Sequence, residues 1–569
     1  MNYIGLKKAL IKIKMADLKT NSIQRFIVFL ILIYFLIASS LFLDKLELNN
    51  DEAIIGIGAL ALIRPDVPVT ICRHVNSLTM FSNHKGKVAS FPEALLFLLF
   101  GSSVFLLRFV QVLFSLGSLI CIYYVCSRNF NRTVGLVTTL LLGIDSTFIS
   151  VTRIGNLQDA VLQIFLFWLG LALIQLYMDK KKRVFLYAAG FIFGVALWAK
   201  LMFLGYFLGF LGAFLIFGRR SLTFLKAEIF KKKRDTAIFI IAFILGCLPL
   251  IMFNIFNYFN QWCTVVDILN SFKAPSTNIY ASGWNNLDFL YNLKIRIDHF
   301  SNLLHGQIAP DVMFNNLGPI LFYLSLAAIL SYLFFAKKET LPKRKISFLL
   351  IAYGILLCLS SFIPRDGSVD PLHLVILLPI IQIVEAIFIS LIIIYLRKKI
   401  WVYLVILGMF LPHAYHEVGA MRKIWHDLKN EENIICTDVV NDLTNYLVNN
   451  NIQEVFCLGN RFLQTIDFTS DLKVITWGVA DSEEKISTHP YLLLRAFPEN
   501  CKLTIDSVYE YQLKKLKPFY LIRIKGDELL ADVFQRLRKL IERDKKQLLL
   551  LKTFCNEPKT RCYELYRVE

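Results

Sequence analysis

Two adjacent carboxylates near the start of the chain have the chemistry of a catalytic site. Asp51 and Glu52 follow Asn49 and Asn50, which are good helix-capping residues, and precede the apolar run 53–63. This pattern predicts a short helix, too short to span a membrane, with both carboxylates on its first turn. A helix N-terminus favours an ionised carboxylate, which suits a general base or a metal ligand. The alternative interpretation is an ordinary acidic first turn.

Cationic side chains recur near the ends of apolar runs farther along the chain. Lys85 and Lys87 precede a second short apolar run, and Lys200 separates two longer ones. Cations of this kind favour a phosphate ligand. For Lys85 and Lys87 the alternative is that both side chains snorkel to the membrane surface.

Two further segments carry ionisable residues at the ends of apolar runs. Arg153 and Asp159 lie in "VTRIGNLQDAVL", and His373 lies in "DPLHLVILLP". Charge at membrane depth is costly, so each of these residues is a functional candidate. A salt bridge between Arg153 and Asp159 and a packing role for His373 are the alternatives.

The elements that position these residues are predicted to be membrane helices. Hydrophobic residues make up 56% of the 569 residues, and charged residues only 18%, against about 25% in an ordinary globular protein. This composition excludes a soluble enzyme, a disordered protein and a secreted disulfide scaffold. We predict a polytopic α-helical membrane protein with about eleven spans, most of them near the length that crosses about 30 Å of hydrocarbon. The predicted spans are Phe26–Leu43, Val104–Val125, Thr133–Ser150, Ala160–Tyr177, Val184–Trp198, Leu201–Gly218, Thr236–Phe253, Leu317–Ala336, Ile346–Phe362, His373–Leu396 and Ile400–Pro412.

Loop charge predicts the direction of the spans. With the N-terminus in the cytoplasm, the basic loops all fall on the cytoplasmic side, as the positive-inside rule requires. The same rule accounts for the net charge of +19, so we expect no nucleic-acid partner. An odd number of spans places the C-terminal part outside. The basic loops are 128–132, 180–183, 219–234, 337–345 and 397–399.

Two long loops and the C-terminal part are predicted to be extracytoplasmic. Loops 44–103 and 254–316 belong to a transmembrane domain over 1–415, and 416–569 is predicted to form a small α/β domain. Its segments "PFYLIRIKG", "LLADVFQRLRKLIERDKK" and "RCYELYRVE" predict a strand, a helix and a strand. Cys555 and Cys562 flank a polar turn and suit a hairpin disulfide if this end is extracytoplasmic.

The order of these pieces resembles the GT-C glycosyltransferases that use polyprenyl-phosphate sugars. The nearest resemblance is to bacterial members related to protein O-mannosyltransferases and to the lipid A aminoarabinose transferase, as in glycosyltransferase family 39. It covers about residues 26–205 and 372–380. Family members often have Pro where this chain has Asp145. The resemblance rests on Asp51-Glu52, "HKGKVASFPEALLFLLFGSSVFLLR", "YYVCSRNFNRTVGLVTTLLLGIDSTFISVTRIGNLQDAVL", "AAGFIFGVALWAK" and "LHLVILLPI".

The resemblance implies an inverting sugar transfer from a polyprenyl-phosphate donor on the outer membrane face. Asp51 is then the candidate base, and Glu52 a candidate helper. Asp159 would either hold a divalent cation, Mg²⁺ or Mn²⁺, together with Asp51, or orient Arg153. The candidates for binding the leaving phosphate are Lys85, Lys87, Arg153, Lys200 and His373.

The expected partners are the lipid-linked donor, the bilayer, and an acceptor that is lipid A, a surface glycan or a protein. A bacterial inner membrane with a periplasmic C-terminal domain is the expected location. A transporter or flippase for a lipid-linked or anionic solute is the alternative function, although it would favour polar residues at the bilayer midplane and paired repeats. A structural assembly subunit is a third class.

Overall fold

The chain folds into a helical bundle followed by a mixed sheet. The computed structural model describes residues 3–45, 50–64, 80–82, 85–153, 160–201, 203–228, 233–257, 289–305, 317–337, 339–360, 374–395, 400–430, 437–452, 454–458, 473–477, 509, 519–525, 528–555 and 562–569. In chain order the bundle helices are α1 (Tyr3–Ser40), α2 (Asn50–Ile63), α3 (Ser90–Phe100), α4 (Val104–Asn129), α5 (Arg132–Ile144), α6 (Ser146–Arg153), α7 (Ala160–Lys180), α8 (Arg183–Ala199), α9 (Phe203–Glu228), α10 (Lys233–Gly246), α11 (Leu248–Asn257), α12 (Phe289–Leu304), α13 (Leu317–Phe335), α14 (Lys343–Ser360), α15 (Leu378–Tyr395) and α16 (Ile400–Asn430). A two-stranded ribbon, β1 (Met80–Ser82) with β2 (Lys85–Gly86), precedes α3.

Among the described residues, five helices are long and apolar enough to cross a membrane. The number is seven if each of two bent helix pairs is counted as one span. This confirms a polytopic helical membrane protein. Each of the eleven predicted spans coincides with a helix or a bent pair, although several of these helices fall short of that length and apolarity. The count of eleven therefore stays a prediction.

The predicted span Thr133–Ser150 is bent. Helices α5 and α6 meet at Asp145 with an angle of 57°. Asp145 has an extended backbone, and its Oδ1 accepts a hydrogen bond from Phe148 N–H at 2.8 Å. The carboxylate therefore caps the first turn of α6, which stabilises a new helix start at this point. A second bend of 58° separates α10 from α11.

The last predicted span ends at Pro412, but α16 continues to Asn430 with this proline inside it. Proline removes one intrahelical hydrogen bond and usually kinks or ends a helix. Here the turns after it make tertiary contacts. Glu417 Oε2 accepts Ser146 N–H at 2.8 Å, and Trp425 Nε1 donates to Ala38 O at 3.3 Å. These contacts with α6 and α1 favour continuation of the helix.

Predicted basic loops meet at one end of the bundle. Arg128, near the end of α4, pairs with Asp179 at 3.0 Å, near the end of α7. Lys345 Nζ, at the start of α14, donates to Asn129 Oδ1 at 3.0 Å. The ends of α4 and α7 and the start of α14 therefore lie together, as the predicted alternation of the spans requires.

The C-terminal part contains a five-stranded sheet. Its strand order is β4-β3-β5-β7-β6, with β3 parallel to β4 and β5, and β7 antiparallel to β5 and β6. The segments predicted as strand, helix and strand are confirmed as β5, α18 and β7. The elements are α17 (Thr437–Asn449), β3 (Glu454–Leu458), β4 (Lys473–Trp477), β5 (Phe519–Lys525), α18 (Glu528–Arg543), β6 (Leu548–Cys555) and β7 (Cys562–Val568). The boundary at 415/416 stays a prediction.

Candidate functional site

The short helix α2 begins at Asn50, so Asp51 and Glu52 lie on its first turn as predicted. The side chain of Glu52 is completely buried. Arg108 Nε donates to Glu52 Oε1 at 2.8 Å, and Arg108 Nη2 donates to Oε2 at 3.0 Å. Arg108 Nη1 donates to Leu43 O at 2.8 Å. This buried bidentate pair fastens the start of α2 to α4 and to the segment after α1. The side chain of Asp51 lies outside the described part.

The strand β2 carries one of the predicted lysines, Lys85, and lies against the end of α8. Lys85 forms an antiparallel β-bridge with Lys200, so two lysines far apart in sequence become neighbours. Gly86, the residue after Lys85, lies directly against Trp198, since a Cβ at this position would be 2.3 Å from Trp198 O. Only glycine allows the strand to approach α8 this closely. The bridge therefore brings together two of the predicted phosphate ligands.

Lys87 and Lys200 are buried, with 3% of each residue exposed. Burial lowers the pKa of the Lys87 ammonium below its ordinary value of 10.5, because the charged form loses hydration. A buried ammonium gains more from an anionic ligand than an exposed one does, since water screens the attraction less. This environment suits a phosphate.

Helix α3 holds β2 and the following Lys87 beside α2. The backbone N–H of Ser90 donates to Lys87 O at 3.1 Å, which starts α3 directly after the strand. The Ser90 hydroxyl donates to Ile55 O of α2 at 3.1 Å. Gln111 Nε2 of α4 donates to the fully buried Glu93 of α3 at 3.3 Å. Helices α2, α3 and α4 thus form one packed support for the carboxylates and the lysines.

Arg153 ends α6 and is buried against the end of α1. Its Nη1 donates to Ala38 O at 2.9 Å and to Ser39 O at 3.3 Å. Its Nη2 lies 3.4 Å from Phe42 O. Because a helix C-terminus leaves carbonyls without intrahelical partners, the guanidinium caps α1. Arg108 is close enough to repel it electrostatically.

Six of the charged residues described above form a group that we call the polar end of the bundle. They are Glu52, Lys85, Lys87, Arg108, Arg153 and Lys200. Two predicted site residues, Asp159 and His373, lie outside the described residues. Within the part that the structure describes, no three His, Cys, Asp or Glu side chains come together in a way that could hold a metal ion. The predicted cation at Asp51 and Asp159 therefore stays a prediction.

The sequence pattern alone gave Arg108 no role in the site. It also gave no role to Glu93 or Gly86. Their signals were an isolated arginine and glutamate within apolar runs, and a glycine between two lysines. The partners of all three are distant in sequence, so the roles appear only in the folded chain.

Chemically, the polar end and the adjacent Asp51 combine two acidic residues at a helix start with several buried cations. One carboxylate is held in an ion pair, and the adjacent residue, Asp51, occupies the same first turn. Cations that are buried and held by backbone contacts can stabilise a developing phosphate charge without reorganisation. This arrangement suits the transfer of a group away from a phosphate.

Comparison with known proteins agrees with this chemistry. Residues 84–246 match the family described as dolichyl-phosphate-mannose-protein mannosyltransferase. The matched region begins one residue before β2 and ends with the last residue of α10. A search of the curated proteins finds no match to the chain.

Solved structures share the fold over nearly the whole chain. ArnT from Cupriavidus metallidurans bound to undecaprenyl phosphate has a TM-score of 0.60 at 14% identity, over 95% of this chain and 97% of that chain. The apo state of the same protein has a TM-score of 0.58 at 13% identity, over 96% and 98%. The Archaeoglobus fulgidus oligosaccharyltransferase in complex with Zn and sulfate has a TM-score of 0.52 at 10% identity, over 87% and 67%.

The chain is therefore an integral membrane protein with the GT-C fold. Residues 84–246 are similar to that mannosyltransferase family, and the chain as a whole has a fold similar to that of ArnT. The predicted family resemblance is confirmed.

Proposed function

We propose that the protein is an inverting glycosyltransferase that moves a sugar from a polyprenyl phosphate to an acceptor on the outer membrane face. The observation that carries this proposal is the β-bridge between Lys85 and Lys200, supported by α3 beside the start of α2. In our proposal these lysines bind the donor phosphate, and α3 holds their segment beside α2, whose first turn carries the carboxylates. The similar ArnT structure contains undecaprenyl phosphate, which supports a lipid phosphate as the donor's leaving group.

In this mechanism Asp51 is the base. Its carboxylate accepts the proton of the acceptor hydroxyl as the acceptor oxygen attacks the anomeric carbon of the sugar. The bond from that carbon to the phosphate oxygen breaks, and the configuration inverts. Glu52 makes no proton transfer in this scheme; its ion pair with Arg108 holds the first turn of α2, and with it Asp51, in place.

The leaving phosphate gains negative charge as the bond breaks, so it requires cations more than it requires a proton. Lys85, Lys87 and Lys200 supply these cations in our proposal. Arg153 caps α1, and in our proposal its positive charge adds to that of the lysines. His373 as a further phosphate contact, and a Mg²⁺ or Mn²⁺ ion held by Asp51 and Asp159, remain parts of the proposal that rest on the sequence.

The acceptor classes are lipid A, another surface glycan and a protein hydroxyl. We place the protein in a bacterial inner membrane with the sheet of β3–β7 on the periplasmic side. Cys562 is disulfide-bonded, which supports an oxidising compartment for this part of the chain.

The test uses the full chain in proteoliposomes with a panel of radiolabelled polyprenyl-phosphate sugars. We expect one donor to bind and to be hydrolysed slowly without an acceptor. Asp51→Asn should abolish hydrolysis and leave donor binding within about twofold, whereas Lys200→Ala should weaken binding at least tenfold, the equivalent of about 1.4 kcal/mol.

The matched control is Lys337→Ala, because Lys337 is exposed and follows α13. It should change neither quantity. Full hydrolysis by a folded Asp51→Asn variant would remove Asp51 as the base. Passage of intact labelled donor across the bilayer without hydrolysis would instead support the flippase alternative.

A further inference from the structure

Three acidic residues are electrostatic neighbours inside the bundle. Asp145 lies at the bend between α5 and α6, Glu385 lies in α15, and Glu417 lies in α16. Their exposed fractions are 7%, 2% and 6%. We call these residues the acid cluster. Glu385 belongs to a helix apolar enough to span a membrane, where ionisable residues are costly and usually functional.

Two members of the acid cluster cap the start of α6. Asp145 Oδ1 accepts Phe148 N–H at 2.8 Å, and Glu417 Oε2 accepts Ser146 N–H at 2.8 Å. The first N–H groups of a helix have no intrahelical partner, so these two carboxyl oxygens satisfy donors at the start of α6. Asp145 Oδ2 also accepts a hydrogen bond from Gln382 Nε2 of α15 at 2.9 Å.

Glu385 lies three residues after Gln382, on the same face of α15. Its Oε2 is buried and has no hydrogen-bond partner among the described residues. Its electrostatic neighbours are Asp145 and Glu417, both of which are acidic. An ionised Glu385 would place a negative charge beside two other carboxyl groups, in a medium where neither water nor a hydrogen bond stabilises Oε2. The neutral carboxylic acid avoids this repulsion.

Three further ionisable groups lie near Glu417 or beside one of its neighbours. His413 Nδ1 is 3.9 Å from Glu417 Oε1, His416 is an electrostatic neighbour of His413, and Tyr34 of α1 is a neighbour of Glu417. Helix α13 also packs on α15, and its sequence has no Asp, Glu, Lys, Arg or His.

We infer that Glu385 is a proton-binding site inside the bundle, protonated at neutral pH, and that its proton lets α15 pack against the two carboxyl caps of α6. The bound ligand is one proton, which forms the O–H bond of the carboxylic acid and is released to solvent at alkaline pH. A proton fits better than a metal ion. Across the described ranges no three His, Cys, Asp or Glu side chains come together in a way that could hold a metal ion.

Infrared spectroscopy of the full chain in nanodiscs tests this inference directly. The wild type at neutral pH should show the C=O stretch of a protonated carboxyl, and Glu385→Gln should lose that band. Glu339→Gln is the control, because Glu339 is exposed in the segment before α14, and this variant should keep the band. An identical carboxyl region in wild type and Glu385→Gln would overturn the inference. So would a change in the carboxylate bands that follows Na⁺ concentration instead of pH.

Thermal unfolding against pH gives a second readout. Deprotonation of Glu385 places a buried negative charge in the acid cluster, so the unfolding temperature of the wild type should fall as the pH rises above neutral. Glu385→Gln cannot lose this proton and should show a flatter profile. If Glu385→Gln does not fold, Asp145→Asn serves instead. Its side-chain oxygen can still cap α6, and the loss of one charge should move the fall to higher pH. Profiles that coincide with the wild type would overturn the inference.

Discussion

At the residue scale, Lys87 combines a positive charge with deep burial. Because burial lowers the pKa of its ammonium group, Lys87 should lose its charge at a lower pH than an exposed lysine does. The proposed phosphate site needs the charged form, so donor affinity should fall as the pH rises through this lowered value. Lys87→Arg keeps its charge at alkaline pH and should retain affinity over the same range. Donor binding to the full chain, measured from neutral to alkaline pH, checks this.

Lys337→Arg is the matched control for that measurement. Lys337 is exposed, so its replacement should leave the pH profile of the wild type unchanged. If the wild type and Lys87→Arg lose affinity at the same pH, another group governs the alkaline fall.

At the element scale, the start of α2 depends on the Glu52–Arg108 pair. An isolated helix of this length is marginal in water, so tertiary contacts must fix its position. Arg108→Leu leaves Glu52 buried without its main partner, which typically costs about 3–5 kcal/mol. The double variant Glu52→Gln/Arg108→Leu removes the uncompensated charge and should recover part of that loss. Thermal unfolding of four proteins in one detergent, namely the wild type, Glu52→Gln, Arg108→Leu and the double variant, completes the double-mutant cycle.

Donor hydrolysis by the same four proteins distinguishes an effect on stability from an effect on the position of Asp51. If the pair positions Asp51, the double variant should remain slow in donor hydrolysis even where its stability recovers. Equal costs of Arg108→Leu and the double variant would mean that no charge is left uncompensated. Full activity of the double variant would show that Asp51 does not rely on the pair.

The bend between α5 and α6 is another element that sequence reasoning only partly described. Hydropathy predicted one span over 133–150, because Asp145 is a single polar residue within an apolar run. The position was recognised as one where related proteins often have Pro. What makes it a bend here is the capping bond to Phe148 and the contact with Gln382 of α15. The second contact is invisible to a local pattern.

At the scale of the whole molecule, the disulfide tests the predicted topology. Cys562 is disulfide-bonded, and Cys555 is the residue opposite it in the β6–β7 ladder. If this part of the chain is extracytoplasmic, Cys562 should resist a membrane-impermeant maleimide in intact cells until a reductant is added. Cys555→Ser should free one new thiol, which reacts from outside without reductant.

Cys126→Ser provides the control, because Cys126 is a buried free cysteine of α4 and its removal should not change external labelling. Labelling of Cys562 in the wild type without reductant would contradict the disulfide. A Cys562 thiol that reacts only after the membrane is opened would place the sheet in the cytoplasm.

The sequence by itself determined the class of the protein and the positions of most helices. The energy of burying apolar runs in a bilayer depends on composition and length, both of which are local. The strands β5 and β7, the first turn of α2 and the family resemblance were likewise readable from short segments. The basic loops that meet at one end of the bundle follow from the same local charge pattern.

Only the tertiary structure decided which of the candidate residues act together. It joined Lys85 to Lys200 by a backbone bridge, paired Glu52 with Arg108, and turned Arg153 toward the carbonyls of α1. It also brought Glu385 to the caps of α6. Each of these contacts joins segments that are remote in sequence, and its energy depends on burial and on distances of a few ångströms. Such quantities are set by helix packing, whereas a periodic pattern reports only which face of a helix is apolar.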